Sequence, residues 1–271
     1  MEQVSDDLLI DEPELGVRRL TLNRPDSLNA FTFQMYKDLY DELERIRFDS
    51  SVRVVLVTGA GRGFCSGHDL KNAGEVPWPT EGLGKPYRDR ITMLGLGRIP
   101  LALRALPQPV ICAVNGVAAG IGYTLALASD IAVAARSARF VNTTHNAATG
   151  CELGLSYLMA RAVGSQRAAE LLYTARPVAA EEAERIGLVL RAVDDDQLIE
   201  AALEIARNIL VNVPLGVALT KQSLWLNQSA ASLEMAIEME ARAAAMALST
   251  EDAGEKRRAF WEKRSPRFSN H

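Results

Sequence analysis

The chain has 271 residues, 48% of them hydrophobic, with a mean hydropathy of −0.01, enough to bury a core as one large domain. A formal charge of −4 and a pI near 5.6 argue against nucleic acid as a partner. Cys65, Cys112 and Cys151 lack CxxC spacing, so neither a disulfide framework nor a metal site is expected. The acidic start MEQVSDDLLIDE has no signal-like apolar core and no run reaches membrane-spanning length, so a cytoplasmic enzyme without membrane contact is expected.

In chain order, Leu8–Asp11 and Gly16–Leu22 read as a hairpin turned around Pro13–Gly16. Asn23-Arg24-Pro25-Asp26 stops the second strand, because proline cannot donate to a ladder. Met35, Leu39, Leu43 and Ile46 share one face of a helix predicted over Thr32–Phe48. An apolar strand follows within Val52–Thr58 and opens into GAGRGFCSGHDL (Gly59–Leu70), read as a glycine turn and the start of a helix. GAGRG is not a phosphate-binding P-loop, since no Gly-Lys-Ser/Thr follows. Gly74–Tyr87, rich in proline and glycine, reads as a loop in which Trp78 and Tyr87 either shape a pocket or anchor the chain. A helix is predicted over Asp89–Ala105.

The stretch from Pro109 to Ser129 organises the chain. It reads as an apolar strand (Val110–Val114), a glycine-spaced turn (Asn115–Gly122) and a small-residue helix, apolar all round and so buried. Such a turn leaves amide N–H groups free at a helix N-terminus, a place suited to negative charge. Asp130 is assigned a local capping or pairing role. Strands follow at Ile131–Ala134 and near Ala138–Val141, then helices at about Glu152–Val163, Ser165–Thr174 and Ala180–Ile186, and a strand at Leu188–Val193. Beyond Asp196 the pattern is helical: Leu198–Val211, Gly216–Asn227, Leu233–Leu248 and Asp252–Lys263.

FCSGHDLK (Phe64–Lys71) with AVNGVAAGIGYTLALASDIAVAA (Ala113–Ala135) resembles the crotonase superfamily, the enoyl-CoA hydratases/isomerases. The likeness continues at RLTLNRPDSLNAF (Arg19–Phe31), ELLYTARPVAAEEAERIGLV (Glu170–Val189) and AFWEKRSPRF (Ala259–Phe268), nearly the whole chain in order. The resemblance implies an α/β fold, a crotonase-like spiral of ββα units over residues 1–200, and a helical trimerisation region over 201–271. It implies an acyl-CoA thioester as substrate, no cofactor beyond the coenzyme A carried by that substrate, and a homotrimer or hexamer. Two backbone N–H groups hold the thioester oxygen in such enzymes, and the matching positions are His68 and Ile121. Donors of this kind typically contribute ~3–4 kcal/mol each to a transition state.

The acid–base groups depart from the hydratase pattern. The two positions that carry glutamate in hydratases are Thr124 and Thr144 here, and a threonine hydroxyl is no base near neutral pH. Glu152, at a site where dienoyl-CoA isomerases carry an aspartate, reads either as the proton shuttle or as a helix-terminus acid. A helix N-terminus would lower its pKa and an apolar pocket would raise it. His145 is the other nearby candidate, its bland reading a polar surface residue. Ser66 and Gly120 belong to the two motifs and are assigned to the thioester's binding site; Arg24 and Lys71 match basic positions near the nucleotide phosphates, though a lone basic residue is usually just solvated. Isomerisation therefore fits better than hydration. The alternatives are a β-diketone hydrolase using His145 with Glu152, and a CoA-binding protein without chemistry.

Overall fold

The computed structural model describes residues 2–145 and 149–271. Seven strands of these residues form the main sheet: β1 (Glu2–Ser5), β2 (Leu8–Glu14), β3 (Val17–Leu22), β4 (Val54–Gly59), β5 (Val110–Val114), β7 (Ile131–Ala135) and β10 (Arg191–Val193), in that spatial order. The first three are antiparallel and the pairs from β3 to β10 are parallel. A smaller sheet joins β6 (Val117–Ala119), β8 (Arg139–Val141) and β9 (Val178–Ala179), in that order.

The central strands β5 and β7 are apolar at every position because both of their faces are covered. Val55, Val57, Cys112, Val114, Ala132 and Ala134 face one core, together with α1 (Phe33–Arg47), α3 (Arg98–Ala105) and α4 (Ile121–Ala128). The alternate residues Val54, Leu56, Ile111, Ala113, Val133 and Ala135 face the other, against α8 (Leu198–Leu210). Leu198, Ala202 and Ala206 of α8 recur every four residues on one face, and the two alanines bring that helix close to the sheet. The remaining helices are α2 (Lys85–Leu96), α5 (Leu155–Val163), α6 (Ser165–Thr174), α7 (Ala180–Arg185), α9 (Pro214–Asn227), α10 (Leu233–Leu248) and α11 (Glu251–Trp261). The whole is the crotonase-type α/β fold with a helical C-terminal region.

Several expectations need correction. The helix predicted over 89–105 is two helices: Pro100 has no N–H to give the carbonyl four residues earlier, and the break falls at Gly97. No helix starts after the first glycine turn; Gly61–Thr80 carries only turns and isolated bridges. The 115–122 turn contains the short strand β6. Glu152 does not begin a helix, since α5 starts at Leu155 behind an N-cap at Gly154. Asp130 does not act locally. Its carboxylate accepts from Val110 N (2.7 Å), Trp225 Nε1 (2.7 Å) and Lys221 Nζ (2.8 Å), which ties α9 to the sheet.

Candidate active site

The two glycine motifs meet as a short parallel ladder. Cys65 pairs with Ala118: Cys65 N–H donates to the Val117 carbonyl (2.9 Å), and Ala119 N–H donates to the Cys65 carbonyl (2.8 Å). Further along, Gly67 and Gly120 come together, so the residues that follow them, His68 and Ile121, lie at the same end of this approach. Glycine makes the approach possible. A Cβ on Gly122 would lie 2.4 Å from the Cys65 carbonyl oxygen, and one on Gly120 would lie 3.4 Å from Gly67 Cα. Gly120 also has φ +51°, which absorbs the turn, so the β-branched Ile121 enters α4 with its side chain 1% exposed.

Both amides are left free. The Gly67 carbonyl accepts from Phe31 N–H (2.8 Å), and in a planar trans peptide the following His68 N–H points the opposite way, away from Phe31. The Gly120 carbonyl accepts from Thr124 N–H (3.1 Å) along the axis of α4, so Ile121 N–H projects out of the helix N-terminus. Neither N–H has a partner among the described residues. Unlike Ile121, His68 owes its free amide to strand geometry and not to a helix mouth.

Two asparagines that the sequence did not single out brace the first glycine turn. The Asn29 side chain donates to Ala60 (2.9 Å) and Gly63 (2.8 Å) and accepts from Arg24 N–H. The Asn115 side chain donates to Gly61 (2.9 Å) and Gly63 (3.2 Å) and accepts from Gly59 N–H. The signal was their position, one in a turn beside Pro25 and one ahead of a glycine.

Around the amides, the His68 imidazole packs on Phe33 and Tyr36 of α1, at centroid distances of 4.8 and 5.9 Å. Burial pushes the Tyr36 phenol well above its ordinary range, and the negative charges of Cys65 and Glu152, when present, add to that push. Glu152 therefore acts on the same neighbourhood as His68. It is half-buried, forms no hydrogen bond or ion pair through its carboxylate among the described residues, and is raised above its ordinary 4.5 by desolvation. Its own carbonyl accepts from Leu155 N–H (3.0 Å), so it precedes the helix and gains no N-cap contact. Cys65 is no nucleophile: burial pushes its thiol up to about 12.

Thr124 and Thr144 are both buried, and the Thr144 hydroxyl is taken up by the Asn142 side-chain oxygen (3.0 Å). The His145 Nε2 bonds to the Leu172 carbonyl of α6 at 2.8 Å, and no hydrogen bond or ion pair joins His145 to Glu152 among the described residues.

Of the expected binding residues, Arg24 is committed within the chain: it pairs with Asp69 (2.9 Å) and Asp7 (3.7 Å) and donates to the Ala30 carbonyl (2.5 Å). Asp69 in turn accepts from Asn72 and Lys71 N–H, and these bonds, the Asn72 one foremost, with Arg24 hold it below the carboxylate range. Ser66 Oγ donates to the Ser27 carbonyl (3.1 Å). Lys71 is exposed, with no partner for its ammonium among the described residues. A cavity of about 1010 Å³ opens at the far end of α4, lined by Leu101, Arg104, Leu127, Tyr157 and Trp225 among others, and it includes neither amide.

Residues 12–271 match the protein family described as enoyl-CoA hydratase/isomerase. A probable enoyl-CoA hydratase of Mycobacterium bovis is 48% identical over 234 residues, which cover 86% of this chain and 82% of that protein. A 1,2-epoxyphenylacetyl-CoA isomerase of Escherichia coli is 37% identical over 264 residues, 97% of this chain and 98% of that one. The crystal structure of a probable enoyl-CoA hydratase/isomerase from Mycobacterium abscessus superposes with a TM-score of 0.89 at 40% identity, covering 97% of this chain and 98% of that one. The chain belongs to the enoyl-CoA hydratase/isomerase family of the crotonase superfamily, and is an enzyme.

Proposed function

We propose that the protein isomerises an unsaturated acyl-CoA, holding the thioester oxygen between His68 N–H and Ile121 N–H and moving one proton with Glu152. The observation that carries this reading is the half-buried Glu152 carboxylate, raised and without a partner among the described residues, whose charge reaches the Tyr36 ring that packs on His68. An acceptor held above the ordinary carboxylate range is closer to the basicity that proton abstraction needs. Glu152 takes the proton from C2 of a 3-enoyl thioester, the two amides stabilise the enolate, and the same carboxyl returns the proton at C4. Hydration asks for a second base, and neither Thr124 nor Thr144 supplies one.

Further parts of the reading concern the surroundings. Lys71, exposed just past the first motif, is the residue left to meet the nucleotide phosphates, since Arg24 is held by two aspartates. Three free cysteines suit the reducing cytoplasm, where acyl-CoA thioesters in fatty-acid metabolism are handled. A homotrimer, or a hexamer of two trimers, would cover α10, which has no buried residue and exposes Leu233, Met235, Ile237, Met246 and Leu248.

The test is mass spectrometry of a short 2-enoyl-CoA and its 3-enoyl isomer after incubation in heavy water. Double-bond migration with deuterium uptake and no gain of water is expected. Gain of one water would overturn the isomerase assignment in favour of hydration. No change in either thioester would remove the reading altogether.

A further inference from the structure

Glu152 stands three residues ahead of Leu155, where α5 starts, and a reversal of the backbone keeps it there. Leu153 has φ +55° and Gly154 φ +78°, two consecutive left-handed residues. Across them the Glu152 carbonyl accepts from Leu155 N–H at 3.0 Å. Positive φ at both central residues under such a bond is the pattern of a type I′ turn. The helical ladder begins only beyond it, where the Gly154 carbonyl accepts from Leu158 N–H at 3.0 Å. Left-handed residues cannot join a right-handed ladder, so Glu152 is cut off from the first turn of α5.

Packing fixes the reversal on both sides. Leu153 is half-buried against the main core, and Leu155 just beyond is 2% exposed within it. The burial of Leu153 offsets the strain of a left-handed leucine, whose Cβ crowds the following carbonyl. Gly154 between them is free of that strain because it has no Cβ. A Cβ placed on it would meet nothing within 4 Å among the described residues. A side chain at 154 therefore starts in open space, and what the position demands is the backbone angle alone. The site of the reversal also decides the charge of Glu152. The half-buried carboxyl is raised by desolvation, and its charge reaches Tyr36 of α1 and the neighbouring Cys151 thiol, itself raised chiefly by burial. Within the first turn of α5 the same carboxylate would meet the helix dipole, which lowers a carboxyl.

We infer that Gly154 is a positioning residue, which keeps Glu152 outside α5 and within reach of Tyr36 by holding the turn over residues 152–155 left-handed. The inference rests on the reading that Glu152 moves the proton. Gly154 touches no reacting atom on this account and acts through the residue two places before it. If the turn is released, α5 can take in Leu153 and Glu152, and the carboxylate exchanges a dry surrounding for a helix N-terminus.

The experiment measures kcat, KM and the pH–rate profile on a short 3-enoyl-CoA for Gly154→Asn, Gly154→Ala and Gly154→Val, with Glu152→Gln alongside. Tolerance of positive φ falls in the order asparagine, alanine, valine, since a short polar side chain bonds locally and a β-branched one is excluded. Gly154→Asn should keep turnover near that of the wild type. Gly154→Val should lose about 10²-fold in kcat with KM little changed, the cost of displacing a reacting group by about 1 Å. Its acid limb should move down toward the ordinary carboxylate range, and Gly154→Ala should fall between. If circular dichroism shows that Gly154→Val does not fold, asparagine against alanine gives the same comparison, and loss in alanine alone supports the inference. Equal turnover and an unmoved acid limb in all three overturn the positioning role and leave the Glu152 reading standing. Equal loss in Gly154→Asn and Gly154→Val, or loss without movement of the acid limb, marks a merely structural glycine and overturns it too. Wild-type turnover in Glu152→Gln, or a wild type inert to this thioester, overturns the proton-transfer reading and the inference with it.

Discussion

Glu152 illustrates how an opposition of two forces is decided by three residues of chain. In the sequence it stands where a helix begins, and a helix N-terminus would lower its pKa. In the structure α5 starts at Leu155, beyond reach of a cap, and desolvation alone acts on the carboxyl and raises it. A carboxyl raised in the folded state stabilises that state fully below its unfolded pKa and loses this contribution as pH rises through the folded pKa. At neutral pH Glu152 therefore opposes folding. Glu152→Gln should melt above the wild type at about pH 7 and together with it at about pH 4. Its turnover should fall by about 10²–10⁴-fold, and the acid limb of the rate profile, set above the ordinary 4.5, should disappear. Circular-dichroism melts and a pH–rate profile check this; unchanged turnover would remove Glu152 from the chemistry. At this scale the sequence was readable where the backbone leaves an amide free, at His68 and Ile121. It was silent on Asn29, Asn115 and Tyr36, whose partners lie far along the chain and leave no local pattern.

Among the elements, the long periodic ones were legible. Val110–Val114, Ser165–Thr174 and Leu233–Leu248 have the expected bounds because burial pattern and local propensity agree there. β6 was not visible: three residues between glycines carry no period, and its pairing with Arg139–Val141 is a contact across 22 residues of sequence. The bridge between Cys65 and Ala118 has the same character, and its tolerance for added atoms is small. In Gly122→Ala the new methyl meets the Cys65 carbonyl at 2.4 Å and Cys65 Cβ at 2.8 Å, both backbone or rigidly attached. The strands must part, at a cost of about 1–3 kcal/mol. Since a small misplacement of oxyanion donors is expensive, turnover should fall about 10²-fold in protein that still folds. Denaturant unfolding and steady-state rates measure the two effects. A fully active Gly122→Ala variant would show that this approach does not set the spacing of the amides.

For the molecule as a whole, the C-terminal helices hang on few points. Lys221 of α9 is buried and donates to the Leu103 carbonyl (2.9 Å), the Gln108 carbonyl (2.9 Å) and Asp130 (2.8 Å). Its desolvation, which lowers the ammonium pKa, is offset chiefly by Asp130. Lys221→Met leaves that carboxylate without its counter-charge, a change worth about 3–5 kcal/mol in a buried pair. If α10 seats the neighbouring subunits, loosening α9 loosens the assembly too. Light scattering should give three or six chains for the wild type and a smaller mass for Lys221→Met, whose melting temperature falls in parallel. A wild-type monomer would contradict the proposed trimer. None of this is written in the local sequence: Lys221 sits in an ordinary helical stretch, and Asp130 looks like a helix stop until the fold brings α9 across it.

The approach of the two glycine motifs, at Cys65 with Ala118 and Gly67 with Gly120, has a consequence for how such a site diversifies. The two proposed donors are peptide N–H groups, so every amino acid except proline supplies them equally well. Residue 68 can then change its side chain from one lineage to the next without forfeiting the polarising contact, and the register with residue 121 is kept by glycines that lie beside it in the chain. On the proposed reading, carbonyl activation is inherited with the backbone, and identity at position 68 is a poor guide to whether a relative is active.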